Sequence, residues 1–140
     1  MSNGIQINMT LDFANIEAYM DQNWEKAMLK AAMRVHKEVT YVLSGNRSGK
    51  LYKVPGTKAK YYKASRPGEP PASRLGHLRT SYKYLVKGKG MDAIGYVGSP
   101  LEYSHYLEYG TYKMAPRPHL KTAFQNADSD VKKIFEGFYQ

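Results

Sequence analysis

The chain has no cysteine among its 140 residues. That excludes disulfides, a thiolate nucleophile and Cys-ligated zinc, and it suits a cytosolic history. No stretch approaches the roughly 18 uninterrupted apolar residues of a membrane span. The start, Met1-Ser2-Asn3-Gly4-Ile5-Gln6, lacks the basic and apolar regions of a signal peptide, so the expectation is a soluble protein made without Sec export. Acidic residues are scarce in one segment. From Arg47 to Lys89 a single acid, Glu69, faces twelve Lys and Arg, while the other nine bases face eleven acids. The net charge of +9 therefore sits in the middle of the chain, as in an arm or a contact surface for something acidic. An apolar share of 42% is enough for one core if part of the chain lies outside it. The length suits a single domain, residues 1–140.

Hydrophobic periodicity supplies the elements. Ile5, Ile7, Met9, Leu11 and Phe13 alternate with polar residues, which predicts a half-buried strand over 5–13. Asn15 is placed to cap a helix. Ile16, Met20, Trp24, Ala27, Met28, Ala31, Val35, Val39 and Val42 then step by three and four, a single helical stripe about 40 Å long that ends at Ser44-Gly45-Asn46. Acids (Glu17, Asp21, Glu25) lie in its first half and bases (Lys26, Lys30, Arg34, Lys37) in its second, complementing the helix dipole.

Residues 46–74 hold Gly49, Gly56, Gly68, Pro55, Pro67, Pro70 and Pro71 and no sustained apolar period. They read as a long basic loop, an extended arm in which only Lys60-Tyr61-Tyr62-Lys63 suggests a short strand. Leu75 and Leu78 allow a helical turn. "YKYLVKG" and "AIGYVGS", joined through a Gly-rich turn at 88–92, predict an antiparallel hairpin. Ser99 and Pro100 predict the start of a short helix over 101–109, with Gly110 as its stop. A final helix follows Pro118, patterned by Leu120, Ala123, Phe124, Ala127, Val131, Ile134, Phe135 and Phe138. The class is α+β: a small antiparallel sheet packed against a long N-terminal helix and a C-terminal helix.

Catalytic signatures are weak. His105, Glu108 and His119 offer metal-ligating types, but their spacing matches no zinc motif, and surface or interface roles are the stronger reading. Ser44 to Lys50 echoes a phosphate-binding loop, yet it follows a helix and lacks the glycine spacing. The arm, with Lys50, Lys53, Lys58, Lys60 and Lys63 around Tyr61 and Tyr62, is the candidate partner-binding site. Its partner is either nucleic acid, through phosphate contacts and stacking across 47–89, or an acidic protein face.

Three stretches carry a resemblance: "RPGEPPASRLGHLRTSY" (66–82), "YSHYLEYGT" (103–111) and "MAPRPHL" (114–120). In this order they resemble the tail-completion or neck proteins of long-tailed bacteriophages. The matching positions are Gly76, Leu78 and Arg79 in the first, and Tyr106, Leu107, Glu108, Gly110 and Thr111 in the second. Arg117 and Pro118 open the last helix in the third. The resemblance implies a virion structural protein of the neck or tail, assembled in the host cytoplasm, with no enzyme activity and no cofactor. It implies a ring, typically of six subunits, between head-closure or connector proteins and the tail tube, through which DNA passes without specific binding. In such a scaffold Tyr106, Leu107 and Tyr109 are expected to pack the short helix onto the sheet.

Overall fold

A computed structural model describes residues 13–73 and 76–138. The strand expected over 5–13 lies outside the described residues except for Phe13, which is already helical. Helix α1 runs Phe13–Ser44, about 48 Å. Asn15 therefore stands inside the helix and not at its cap. Phe13 and Ala14, which precede it in the helix, include no Gly or Pro to interrupt the hydrogen-bond ladder.

The stripe on α1 packs as its period requires: Ala27, Ala31, Val35, Val39 and Val42 are buried. Its main partner is α4, Leu120–Phe138, where Ala123 and Ala127 have no exposed surface. Small side chains on both helices bring the backbones close, and larger residues close the flanks. Trp24 meets Phe135 at 5.2 Å between ring centroids. Across the same junction Arg34 donates to Asp130 at 2.9 Å, tying α4 to α1, while Glu38 one turn along α1 accepts from the same guanidinium at 2.8 Å.

The sheet against α1 has two antiparallel strands, with Leu85 opposite Tyr96 and Lys87 opposite Ile94. These are β3 (Lys83–Lys87) and β4 (Ile94–Gly98), joined by a 3₁₀ turn at Gly90–Asp92. The acids of α1 hold that turn: Glu25 accepts the Gly90 N–H and Asp21 accepts the Met91 N–H at 3.0 Å. Gly90 has φ +60°, and a Cβ there would lie 2.6 Å from the Asp21 carboxyl group. Only glycine fits. Trp24 donates its indole N–H to the Ala93 carbonyl at 3.1 Å, a third tie between helix and turn.

The basic loop contains more order than its sequence suggests. β1 (Leu51–Lys53) and β2 (Tyr61–Lys63) form a second antiparallel hairpin, pairing Leu51 with Lys63, Tyr52 with Tyr62 and Lys53 with Tyr61. Bonds from Gly49 N–H to the Ala64 carbonyl (2.8 Å) and from Ala64 N–H to the Lys50 carbonyl (2.9 Å) extend the ladder toward the body. The expectation of one short strand is thus corrected. Neither face of the ribbon packs on a core, so no apolar alternation marks it in the sequence. Val54 alone in the ribbon's turn is buried, at 4% exposure.

Two short helices complete the fold: α2, His77–Ser81, and α3, Glu102–Tyr109. α3 starts after Leu101, two residues later than Ser99 and Pro100 suggest. Ser99 instead accepts the Leu101 N–H at 3.1 Å and bonds Ser81 across 2.6 Å. The hydroxyl thus joins α2 to the approach of α3, and the N–H it accepts belongs to Leu101, ahead of the helix, and not to the helix's own first turn.

Candidate partner-binding site

The turn after α3 explains why the chain carries "EYGTYKMAPRPH". Gly110 has φ +77°, and a Cβ on it would come within 3 Å of the Met114 carbonyl and the Pro116 ring. Thr111 and Met114 exchange backbone bonds at 2.9 and 3.2 Å, closing a tight loop. The returning chain is received by α3, since the Arg117 N–H donates to the Leu107 carbonyl at 2.7 Å.

Glu108 is the centre of this join. Its carboxylate accepts the N–H groups of His119 (2.9 Å), Leu120 (3.0 Å) and Lys121 (2.9 Å), the unsatisfied donors at the start of α4. Burial pushes this carboxyl upward, but the three N–H donors and the neighbouring imidazole outweigh it, and it titrates below the ordinary range. His119 is fully buried. Its Nδ1 lies 3.1 Å from both the Arg117 carbonyl and Glu108, while Nε2 is 2.5 Å from the Tyr82 hydroxyl. A neutral ring satisfies all of these: Nδ1–H donates, and Nε2 accepts from Tyr82. Burial accordingly lowers the imidazole pKa, and burial with the nearby Glu108 charge pushes the Tyr82 phenol up to about 12.

Arg117 faces the other way. Its guanidinium donates to the Ser65 hydroxyl at 2.6 Å and the Ser65 carbonyl at 3.2 Å, and Gly68 N–H donates to the Pro116 carbonyl at 3.1 Å. The Pro-Arg-Pro turn therefore grips the returning limb of the basic loop. The outgoing limb is gripped at Arg47, a nearly buried guanidinium. It donates to the carbonyls of Pro71 (3.1 Å), Asn46 (2.9 Å) and Val42 (2.7 Å), so it crosses the neck of the loop and seals the end of α1. Burial lowers its pKa, against the opposing pull of the Glu69 charge. Glu69, the lone acid of the segment, accepts from the Ser48 hydroxyl and from the N–H groups of Ser48 and Arg66, and is held at about 2 chiefly by the Ser48 bond. Sequence reading missed this clamp, although a single acid among twelve bases was a visible signal.

Beyond the clamp the ribbon is open. Lys50, Lys53, Lys58, Lys60 and Lys63 are all exposed, as is Tyr61 at 58%; Tyr62 is half-buried and stacks on Tyr52 at 5.9 Å. Of the motif residues, Gly76 has φ +78° at the head of α2 with no side-chain cap, Leu78 packs on the core around Val39 and Tyr82, and Arg79 is half-buried near Gly76. Pro118 is half-buried ahead of α4. The expected packing role of Tyr106 and Tyr109 is corrected. They are 44% and 70% exposed, Leu107 is half-buried, and Ser104 is the buried residue of α3. Gly110 and Glu108 turn the chain so that α3 rests on its small side, which leaves the tyrosines outside.

Of the metal-ligating candidates the fold brings Glu108 and His119 together, 3.1 Å apart, but both are occupied in the join to α4, and His105 lies elsewhere, tilted against Tyr109 at the surface with ring centroids 4.9 Å apart. Among the described residues no group of His, Asp and Glu could hold a metal ion, and no helix is long and apolar enough to cross a membrane.

The geometry is a helix pair with a basic ribbon displayed beside it, its root held by Arg47, Glu69 and Arg117. The particular family follows from comparison: the chain belongs to the HK97-gp10-like family, described as "Bacteriophage HK97-gp10, putative tail-component", whose model matches residues 15–110. That span takes in α1, the clamped ribbon, the sheet and α3. No curated protein and no solved structure matches the chain.

Proposed function

We propose that the protein is a tail-completion or neck subunit, a ring component that joins the phage tail to the DNA-filled capsid. The observation that carries this reading is the match of residues 15–110 to a phage tail-component family. The exposed tyrosines of α3 support an assembling subunit. Tyr103, Tyr106 and Tyr109 are all at least 44% exposed on an eight-residue helix, and rigid aromatic side chains of this kind supply contact area at low entropic cost. The ring, with six copies as the expected number, meets connector proteins on one side and the tail tube on the other, and DNA passes through it. Its place is the virion neck, after assembly in the host cytoplasm, and its role is structural, with no catalysis and no cofactor. Electron microscopy of particles, with mass spectrometry of purified virions, tests this. The chain should be present at a fixed copy number at the neck, and a chain never found in virions would overturn the role.

Exposed lysines and tyrosines on one ribbon also favour a second reading, in which the 47–89 segment binds nucleic acid. A gel shift with duplex DNA separates the two. Low-micromolar binding that falls steeply with salt would favour the second.

A further inference from the structure

The β1–β2 ribbon is a surface left without an internal use. It packs extensively on no other element, yet its root is fixed on both limbs by Arg47, Glu69 and Arg117. A merely solvated loop has no need of such a clamp. Clamping holds the ribbon's direction and reduces the ordering cost of binding.

One face of the ribbon is specific in its chemistry. Leu51 and Tyr61, 57% and 58% exposed, lie on the same side, and the residues paired opposite them are Lys63 and Lys53. The four alternate as a checkerboard, each apolar residue directly beside a lysine across the strands, and such a mixed apolar and cationic face suits a protein contact. Duplex DNA would use the lysines but has little use for Leu51, and the ribbon between residues 50 and 63 has no arginine, the side chain best shaped for phosphate forks.

A second copy of the chain offers poor complementarity. It is itself strongly basic, with a net charge of +9, and among the described residues six of its acids are engaged within the fold: Asp21 and Glu25 on the 90–91 turn, Glu38 and Asp130 on Arg34, Glu69 at the ribbon root, Glu108 at α4. We infer that the Leu51–Lys53–Tyr61–Lys63 face docks on a different protein, through an acidic patch with apolar or aromatic residues at its centre. This rests on the assembly role proposed above for where the partner is met, but the recognition chemistry is testable without it.

The test uses the purified full chain and two labelled probes, a random glutamate–tyrosine copolymer and a short DNA duplex, followed by fluorescence anisotropy at about 150 mM salt. The copolymer should bind more tightly than the duplex. Lys53→Glu with Lys63→Glu should weaken it, and Leu51→Ser with Tyr61→Ser should weaken it by about ten-fold, with the melting temperature unchanged because these side chains are exposed. Tighter duplex binding that ignores Leu51 and Tyr61 would overturn the inference in favour of DNA. No copolymer binding, or binding indifferent to the serine pair, would overturn it as well. Absence of the chain from virions would remove the assembly role while leaving these binding results to stand.

Discussion

Glu108 and His119 share one oxygen in two ways. Glu108 Oε2 accepts the His119 backbone N–H at 2.9 Å and lies 3.1 Å from the imidazole Nδ1. One carboxylate thus caps α4 and orients the ring that holds Tyr82. Replacing Glu108 with Ala should leave three helix-start donors and the imidazole N–H without it, at a cost of about 2 to 4 kcal/mol. Glu108→Gln keeps the shape but offers one oxygen to several donors, so thermal unfolding should place it between wild type and Ala. A Glu108→Ala protein as stable as wild type would show that water replaces the carboxylate without cost.

The same group predicts the acid side of the stability profile. His119 titrates below its ordinary 6.5 because it is buried, so the unfolded chain takes up the proton first. Its contribution is full above pH 6.5 and declines as pH falls below that value. Glu108 titrates below its ordinary 4.5, so its contribution is present above pH 4.5 and lost as pH falls further. Melting temperature should therefore drop in two stages on acidification, and His119→Gln should remove the upper one. Tyr82, raised to about 12 from 10, adds an alkaline loss that begins near pH 10. A flat profile between pH 7 and 5 would show that His119 accepts its proton in the folded state.

Trp24 gives a check on the core. Its ring is half-buried against Phe135, and its N–H serves Ala93. Trp24→Ala should cost about 3 kcal/mol, and Trp24→Phe less, because Phe keeps the ring contact and loses only the bond to the turn. Chemical denaturation of both variants measures the difference. Equal losses would mean that the hydrogen bond, and not the packing, carries the effect.

The two long helices were legible because each buries one regular face: the stripe from Ala27 to Val42, and the small residues Ala123 and Ala127, write a period into the chain. The β3–β4 hairpin was legible through its Gly-rich turn and not through burial, since Tyr84, Leu85, Ile94 and Tyr96 are exposed. The β1–β2 hairpin was not legible because Lys53, Tyr61 and their neighbours pack on no core, so nothing forces alternation. The tyrosines of α3 misled for a related reason. Spacing by three marks a shared helix face but not which face is buried, and Ser104 took that place. Glu108 at the head of α4 was hidden because a cap donated from a different helix has no local spacing to betray it.

Arg47 offers a test of the clamp. Its fork reaches three carbonyls, which a lysine ammonium at the end of a flexible stem cannot match. Arg47→Ala and Arg47→Lys should both leave helical circular dichroism nearly intact while raising the rate of tryptic cleavage at Lys50 to Lys63. Rescue by Lys would show that charge near Glu69, and not the fork, fixes the root.

The exposed ends of the ribbon carry the last prediction. Lys58, Lys60 and Lys63 have exposed side chains and form no internal ion pair among the described residues, so reversing all three to Glu should leave the melting temperature unchanged. If the ribbon lined a DNA channel, a ring of such lysines would meet the duplex with dozens of cations. Even about 6 to 10 phosphate contacts bind strongly and with steep salt dependence. A channel that gripped phosphates in this way would slow the passage it exists to allow. The ribbon is therefore expected to point away from the channel onto an acidic protein face, and the triple reversal should block joining of heads to tails, seen as separate heads and tails by electron microscopy of an infected culture. Normal joining followed by abnormal DNA retention or ejection would place these lysines in the channel instead.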